Sequence, residues 1–143
     1  MKRSTKLAVV TLLALTLAGC LQASLSIKIT PNPITFEFGE VSKEVTFKFT
    51  TSGFGQLKLD KLVLELLDEE GESVWNDEIE LDASAFVVPG ITHTEKHAVE
   101  LPEELRTATQ EEYDAELKGK TYTLSVAVTG GKSATAKVDV VFE

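Results

Sequence analysis

Thr121-Tyr122-Thr123-Leu124-Ser125-Val126-Ala127-Val128-Thr129-Gly130-Gly131 is the stretch whose reading decides the fold. Tyr122, Leu124, Val126 and Val128 take every second position and leave Thr, Ser and Ala between them. That is the period of a strand with one buried face. Ala134 to Phe142 repeats the alternation, so the two runs predict a hairpin turning at Gly130-Gly131, with positive φ expected of the glycines.

The same period recurs upstream. Leu25, Ile27 and Ile29 define a first strand, and Pro31-Asn32-Pro33 breaks it. Ile34, Phe36 and Phe38 define a second that ends at Gly39, and Val45, Phe47 and Phe49 a third. Gly53 and Gly55 mark a turn into a longer strand, Gln56 to Leu67, in which Leu62, Leu64 and Leu66 share a face. Asp68-Glu69-Glu70-Gly71 has hairpin chemistry. Ser73 to Leu81 returns with Trp75, Ile79 and Leu81 on one side and Asp77 interrupting. An irregular connection, Asp82 to Gly90, leads to a strand over Ile91 to Leu101.

Leu101 to Lys118 departs from this rhythm. Pro102 suits a first helical position, Glu103 and Glu104 suit the positive end of a helix, and Gly119 can close it. The spacing predicts a short helix with Leu105, Thr109, Tyr113 and Leu117 facing inward. Seven to eight strands with turns between them, and one short helix before the last hairpin, predict a mainly β chain folded as an antiparallel β-sandwich.

Gly119-Lys120-Thr121-Tyr122-Thr123-Leu124-Ser125-Val126 resembles the penultimate strand of immunoglobulin-like and fibronectin-like domains. The resemblance implies an immunoglobulin-like sandwich over residues 25–143, with Tyr122 pinning the preceding corner. It implies a fold and no activity.

The amino-terminal region has a different character. Lys2, Arg3 and Lys6 precede the apolar run Leu7 to Ala18, followed by Gly19 and Cys20. This is the layout of a signal peptide, and the run is shorter than the roughly 20 apolar residues a membrane span needs. Leu17-Ala18-Gly19-Cys20 resembles the lipobox of prokaryotic membrane lipoproteins. The resemblance implies that residues 1–19 are a leader cut before Cys20 and that the Cys20 thiol carries a diacylglyceryl group. Residues 20–24 would then link lipid to domain. An ordinary signal peptide with an incidental cysteine is the alternative. Family resemblance places a lipoprotein with Leu21 after its lipidated Cys in the outer membrane of a two-membrane cell. In a single-membrane cell the outer face of the cytoplasmic membrane would hold it.

Setting the leader aside leaves 11 basic against 23 acidic residues, a formal charge of about −12. No Lys or Arg cluster follows residue 20, which disfavours nucleic acid and electrostatic adhesion to anionic lipid. Acyl chains on Cys20 would hold the chain to the membrane without a basic patch. Cys20 is the only cysteine, so no intramolecular disulfide or cysteine-based zinc site can form.

Candidate chemistry is sparse. His93-Thr94-Glu95-Lys96-His97 spaces two imidazoles as metal ligands would be spaced on a helix, but on a strand they lie about 13 Å apart. The acids around Gly71 lack the spacing of a calcium loop, although one ion bridging them to the row Asp77, Glu78, Glu80 and Asp82 stays open. Trp75 suits a core position better than a stacking platform, and no nucleophile elbow or phosphate loop is present.

Cys20 is therefore the one site residue expected, for lipidation, with no catalytic, cofactor or metal residues. The expected protein is a lipid-anchored, non-enzymatic binding or assembly module with an envelope or surface protein as partner. Thr51 to Gln56 and Asp82 to Gly90 are the expected contact loops. The alternatives are a protease-inhibitor or solute-binding lipoprotein, or a metal-dependent hydrolase using His93 and His97.

Overall fold

The computed structural model describes residues 24–143 apart from residue 54. Two sheets face each other. One holds β1 (Ser24–Thr30), β3 (Ser42–Ser52) and β7 (His93–Glu100) in the order β1-β3-β7. The other runs β2-β9-β8-β4-β5, from β2 (Ile34–Phe36), β9 (Ala134–Phe142), β8 (Thr121–Gly130), β4 (Leu57–Leu67) and β5 (Ser73–Glu80). The two-residue strand β6 (Phe86–Val87) pairs with the start of β4.

Alternation sets which residues face inward. Val45, Phe47 and Phe49 of β3 are fully buried, as are Leu59, Leu62, Leu64 and Leu66 of β4 and Leu124, Val126 and Val128 of β8. These side chains fill the space between the sheets with no buried polar side chain among the described residues. Each contributes roughly 1.5–3 kcal/mol on leaving water, which a sandwich without disulfides requires.

Several expectations need correction. The sandwich is not wholly antiparallel, because β2 runs parallel to β9, pairing Ile34 with Val140 and Phe36 with Phe142. The chain crosses between sheets at Pro31-Asn32-Pro33 without reversing, so β2 keeps the direction of β1. That strand ends at Phe36, and Phe38 lies outside it, partly exposed and edge-on to Tyr113 at 5.8 Å.

The connection Asp82 to Gly90 is not irregular throughout. Ala85 and Val87 are fully buried, the Leu59 N–H donates to Ala85 O at 2.8 Å, and β6 sews the segment to β4. A helix across Leu101 to Lys118 is replaced by a 3-10 turn, Glu103–Leu105, and a separate α1 (Gln110–Glu116). Thr109 is the cap between them. Its backbone is extended and its Oγ1 accepts from the Glu112 N–H at 3.2 Å, while Glu112 Oε2 accepts from the Ala108 N–H at 3.2 Å. Thr109-Gln110-Glu111-Glu112 is thus a capping-box sequence, a signal that starts a helix where the longer expected helix would continue.

The last hairpin forms as expected, but its glycines act differently. Neither Gly130 nor Gly131 has positive φ. Gly130 ends β8 opposite Leu59, where a Cβ would lie 2.1 Å from Lys58 O, and the Gly131 N–H donates to that oxygen at 2.9 Å. Close approach of two backbones, not turn handedness, requires glycine there. Gly130→Ala is expected to destabilise the fold by about 1–3 kcal/mol, read as a lower denaturant midpoint with unchanged slope.

Candidate functional site

The polar residues singled out on β7 form a ladder on its inward face. His97, Glu95 and His93 pair with Val45, Phe47 and Phe49 of β3, all of which face the core. The ladder stays half-buried because β7 is an edge strand. His93 and His97 lie beside the rings of Phe49 and Phe47, with centroids 6.2 and 6.3 Å apart. Glu95 bridges them, with Oε1 2.8 Å from His93 Nε2 and Oε2 3.7 Å from His97 Nε2. His97 Nε2 is buried and has no hydrogen-bond partner among the described residues. No three His, Cys, Asp or Glu side chains among those residues are arranged to hold a metal ion.

The acidic hairpin is organised by one carboxylate. Asp68 Oδ1 accepts from the N–H groups of Glu70 at 2.9 Å and Glu72 at 2.8 Å, and Gly71 turns at φ +83°. Asp68 is thereby engaged in holding the turn. Trp75, opposite Leu66, is half-buried against the core, as its alternation predicts.

At the pole that carries α1, Tyr113 takes the pinning role expected of Tyr122. Tyr113 Oη lies 2.9 Å from Phe36 O and 2.7 Å from Glu143 O, so its single proton is shared between two strand ends. Tyr122 is instead buried edge-on against Phe142 at 5.4 Å. The sequence signal for Tyr113 lay in its position, four residues before the other buried helical residue, Leu117. A cavity of about 30 Å³ lies between this helix, Glu37, Val41 and Leu101. That is room for about one water.

A larger concavity lies on the flank where β1 packs beside β9. It is an open groove of about 400 Å³ lined by Ile27, Lys28, Ile29, Thr30, Asn32, Ala136 and Lys137. Two strand edges border it. β1 pairs only with β3, and β2 pairs with β9 only from Val140 onward, leaving Ala134 to Asp139 beside β1 but without a hydrogen-bonded strand on that side. Ile27 and Ile29 give the groove an apolar floor, and Lys28 and Lys137 give it a positive rim on an otherwise acidic domain. Residue alternation alone did not disclose it, because its position follows from where β2 crosses between sheets.

Cys20 lies outside the described residues, so the lipidation site has no geometry here. The expected contact loops, Thr51 to Gln56 and Asp82 to Gly90, both lie at the end where β1 begins. No helix among the described residues is long and apolar enough to cross a membrane.

No protein-family model matches the chain. No curated protein matches it either. Among solved structures, a Bordetella pertussis protein described as ApaA is similar over 82% of this chain and 90% of its own, with 12% identity and a TM-score of 0.49. The CARDB domain of a Pyrococcus furiosus protein is similar over 86% and 99%, with 14% identity and a TM-score of 0.48. The periplasmic chaperone SfaE is similar over 82% and 56%, with 7% identity and a TM-score of 0.45. The two-sheet, mainly β architecture rests on this chain's own strand pairing.

Burial raises the pKa of the Tyr113 phenol above 10.0, helped by the nearby carboxylates of Glu37, Glu40, Asp114 and Glu143. The folded state therefore keeps this proton at pH values where the unfolded chain has lost it. The associated stability is complete below about pH 10 and falls as pH rises through the folded value. Tyr113→Phe is expected to lower stability near neutrality by about 1 kcal/mol, because Phe36 O keeps the Glu143 N–H at 2.9 Å. The same variant should lose less stability than the parent between pH 9 and pH 11, measured by denaturant unfolding at each pH. Tyr122, whose phenol burial also pushes up, would supply the remaining slope.

Proposed function

We propose that the chain is a lipid-anchored, non-catalytic binding or assembly module of the cell envelope, built on an immunoglobulin-like sandwich. Its lipid on Cys20 would hold it to the outer face of the cytoplasmic membrane or to the outer membrane. The strand order, with the first strand divided between sheets as β1 and β2, supports the immunoglobulin-like description.

The groove between β1 and β9 carries the binding reading. Unpaired backbone along Ala134 to Asp139 offers donors and acceptors to an added strand. Ile27 and Ile29 offer an apolar floor to alternate side chains, and Lys28 and Lys137 favour acidic residues flanking them. An extended segment of an envelope or surface protein has this chemistry. The inhibitor alternative would present Asp82 to Gly90, which is anchored by buried Ala85 and Val87 and leaves Phe86 exposed.

Two measurements test the reading. Cys20→Ser is expected to abolish lipid labelling and release the protein from membranes, and retention at the parent level would refute the anchor. A photo-crosslinking residue at position 137 should capture a partner in intact cells, whereas one at Asn76, on the opposite flank, should not. Equal capture from both positions, or none from either, would refute the groove.

A further inference from the structure

The two poles of the sandwich differ in composition. One pole contains the start of β1, the turn from β3 to β4, the segment from Ala85 to Thr92 and the turn from β8 to β9. Residues 24–27, 49–60, 82–94 and 128–135, which build it, include only Asp60 and Asp82 as acids. The opposite pole, built from residues 31–43, 68–73, 100–120 and 143, holds most of the 23 acidic residues, with Lys43, Arg106, Lys118 and Lys120 as counter-charges.

This acid-poor pole exposes large apolar side chains, as the acidic pole does at Phe38 and Val41, and carries the most exposed of them. Val88-Pro89-Gly90-Ile91 is a tight turn in which the Ile91 N–H donates to Val88 O at 3.1 Å and Gly90 has φ +84°. The turn leaves Ile91 65% exposed, and Phe86 on β6 is 39% exposed beneath the Lys58 ammonium, 5.8 Å from the ring centroid. An apolar tip beside the Lys58 ammonium, itself paired with Asp60 at 3.7 Å, matches the boundary between lipid headgroups and acyl chains.

Chain length selects the lipid surface as the occupant. Only Leu21, Gln22 and Ala23 lie between Cys20 and Ser24, a reach of about 14 Å at full extension. Ser24 is itself tied into the sheet at this pole by the Ser52 hydroxyl and by Thr51 Oγ1, which donates to Ser24 O at 2.6 Å. We propose that this pole is a membrane-seating surface. Ile91 and Phe86 enter the interface, and the acidic pole points away from the bilayer. The inference rests on the Cys20 anchor proposed above.

The test uses the full lipidated chain in phosphatidylethanolamine–phosphatidylglycerol vesicles containing a nitroxide-labelled lipid. A thiol-reactive fluorophore is placed singly through Ile91→Cys, Ser133→Cys, Glu70→Cys or Glu104→Cys, after lipidation has consumed the Cys20 thiol. Lipid quenching is expected to be several-fold stronger at 91 and 133 than at 70 and 104. Equal quenching at the four positions in protein that floats with the vesicles would overturn the seating surface and leave the anchor standing. Protein that does not float would overturn the anchor, and this inference with it. Phe86→Asp combined with Ile91→Asp should leave flotation intact and remove most of the quenching at 133. Unchanged quenching would mean that the tether alone sets the orientation, and would also overturn the proposal.

Discussion

Packing of β3 against β4 and β8 through their alternate residues is the constraint on which the rest depends. Phe47 and Phe49 on one sheet, with Leu62, Leu64, Leu66, Leu124 and Val126 on the other, make a core with no polar side chain to satisfy. A one-residue slip in any of these strands would turn its apolar set to solvent. Register is therefore held by the whole inner face and needs no disulfide, which the single cysteine could not supply.

The margins of the sheets follow from that core. At β5 and β7 no further strand covers the inner face, and the chain places Asp77 opposite Leu64 and the His93-Glu95-His97 ladder opposite Val45, Phe47 and Phe49. Charges on edge strands, the exposed Asp77 and the half-buried Glu95, discourage pairing with another chain. The Glu95 carboxylate has a hydrogen-bond partner in His93, so the ladder reads first as edge protection. On the other flank β2 covers only the end of β9, and Tyr113 fastens that end by sharing its proton between Phe36 O and Glu143 O. What remains uncovered on that flank is the groove.

Alternation made the strands legible because a period of two needs no tertiary information. Leu62, Leu64 and Leu66, and Val45, Phe47 and Phe49, face inward as their spacing demands. Features set by contacts distant in sequence were not legible in the same way. β6 exists because Ala85 and Val87 meet β4, and the glycine at 130 is required by the Lys58 carbonyl, neither of which local pattern shows. Tyr122 has the corner position in its strand, but the strand ends at Phe36 and Glu143 are bonded by Tyr113 instead. The helix boundary is a different case, since the Thr109 capping box was present in the sequence and outweighed the spacing of Leu105. The groove depends on β2 running parallel to β9, a consequence of the crossover at Pro31-Asn32-Pro33.

Charge segregation calls for a separate account, because the fold does not demand it. Both poles consist of exposed turns and strand ends, and an exposed carboxylate is solvated equally well at either. A few acids have structural duties: Asp68 holds its hairpin, Glu112 caps α1, and Glu40 accepts from the Glu37 N–H at 2.9 Å while pairing with Lys43. The Lys43 ammonium, foremost, and the Glu37 N–H lower the pKa of Glu40 and keep it charged. The other acids at that pole make crowding that exposed charges tolerate at physiological salt, where the screening length is about 8 Å. Packing leaves their placement nearly free, so the proposed membrane seating would account for an asymmetry that the fold itself does not require. A bilayer with an anionic surface on one side and water on the other would drive carboxylates from the nearer pole and tolerate them at the farther one.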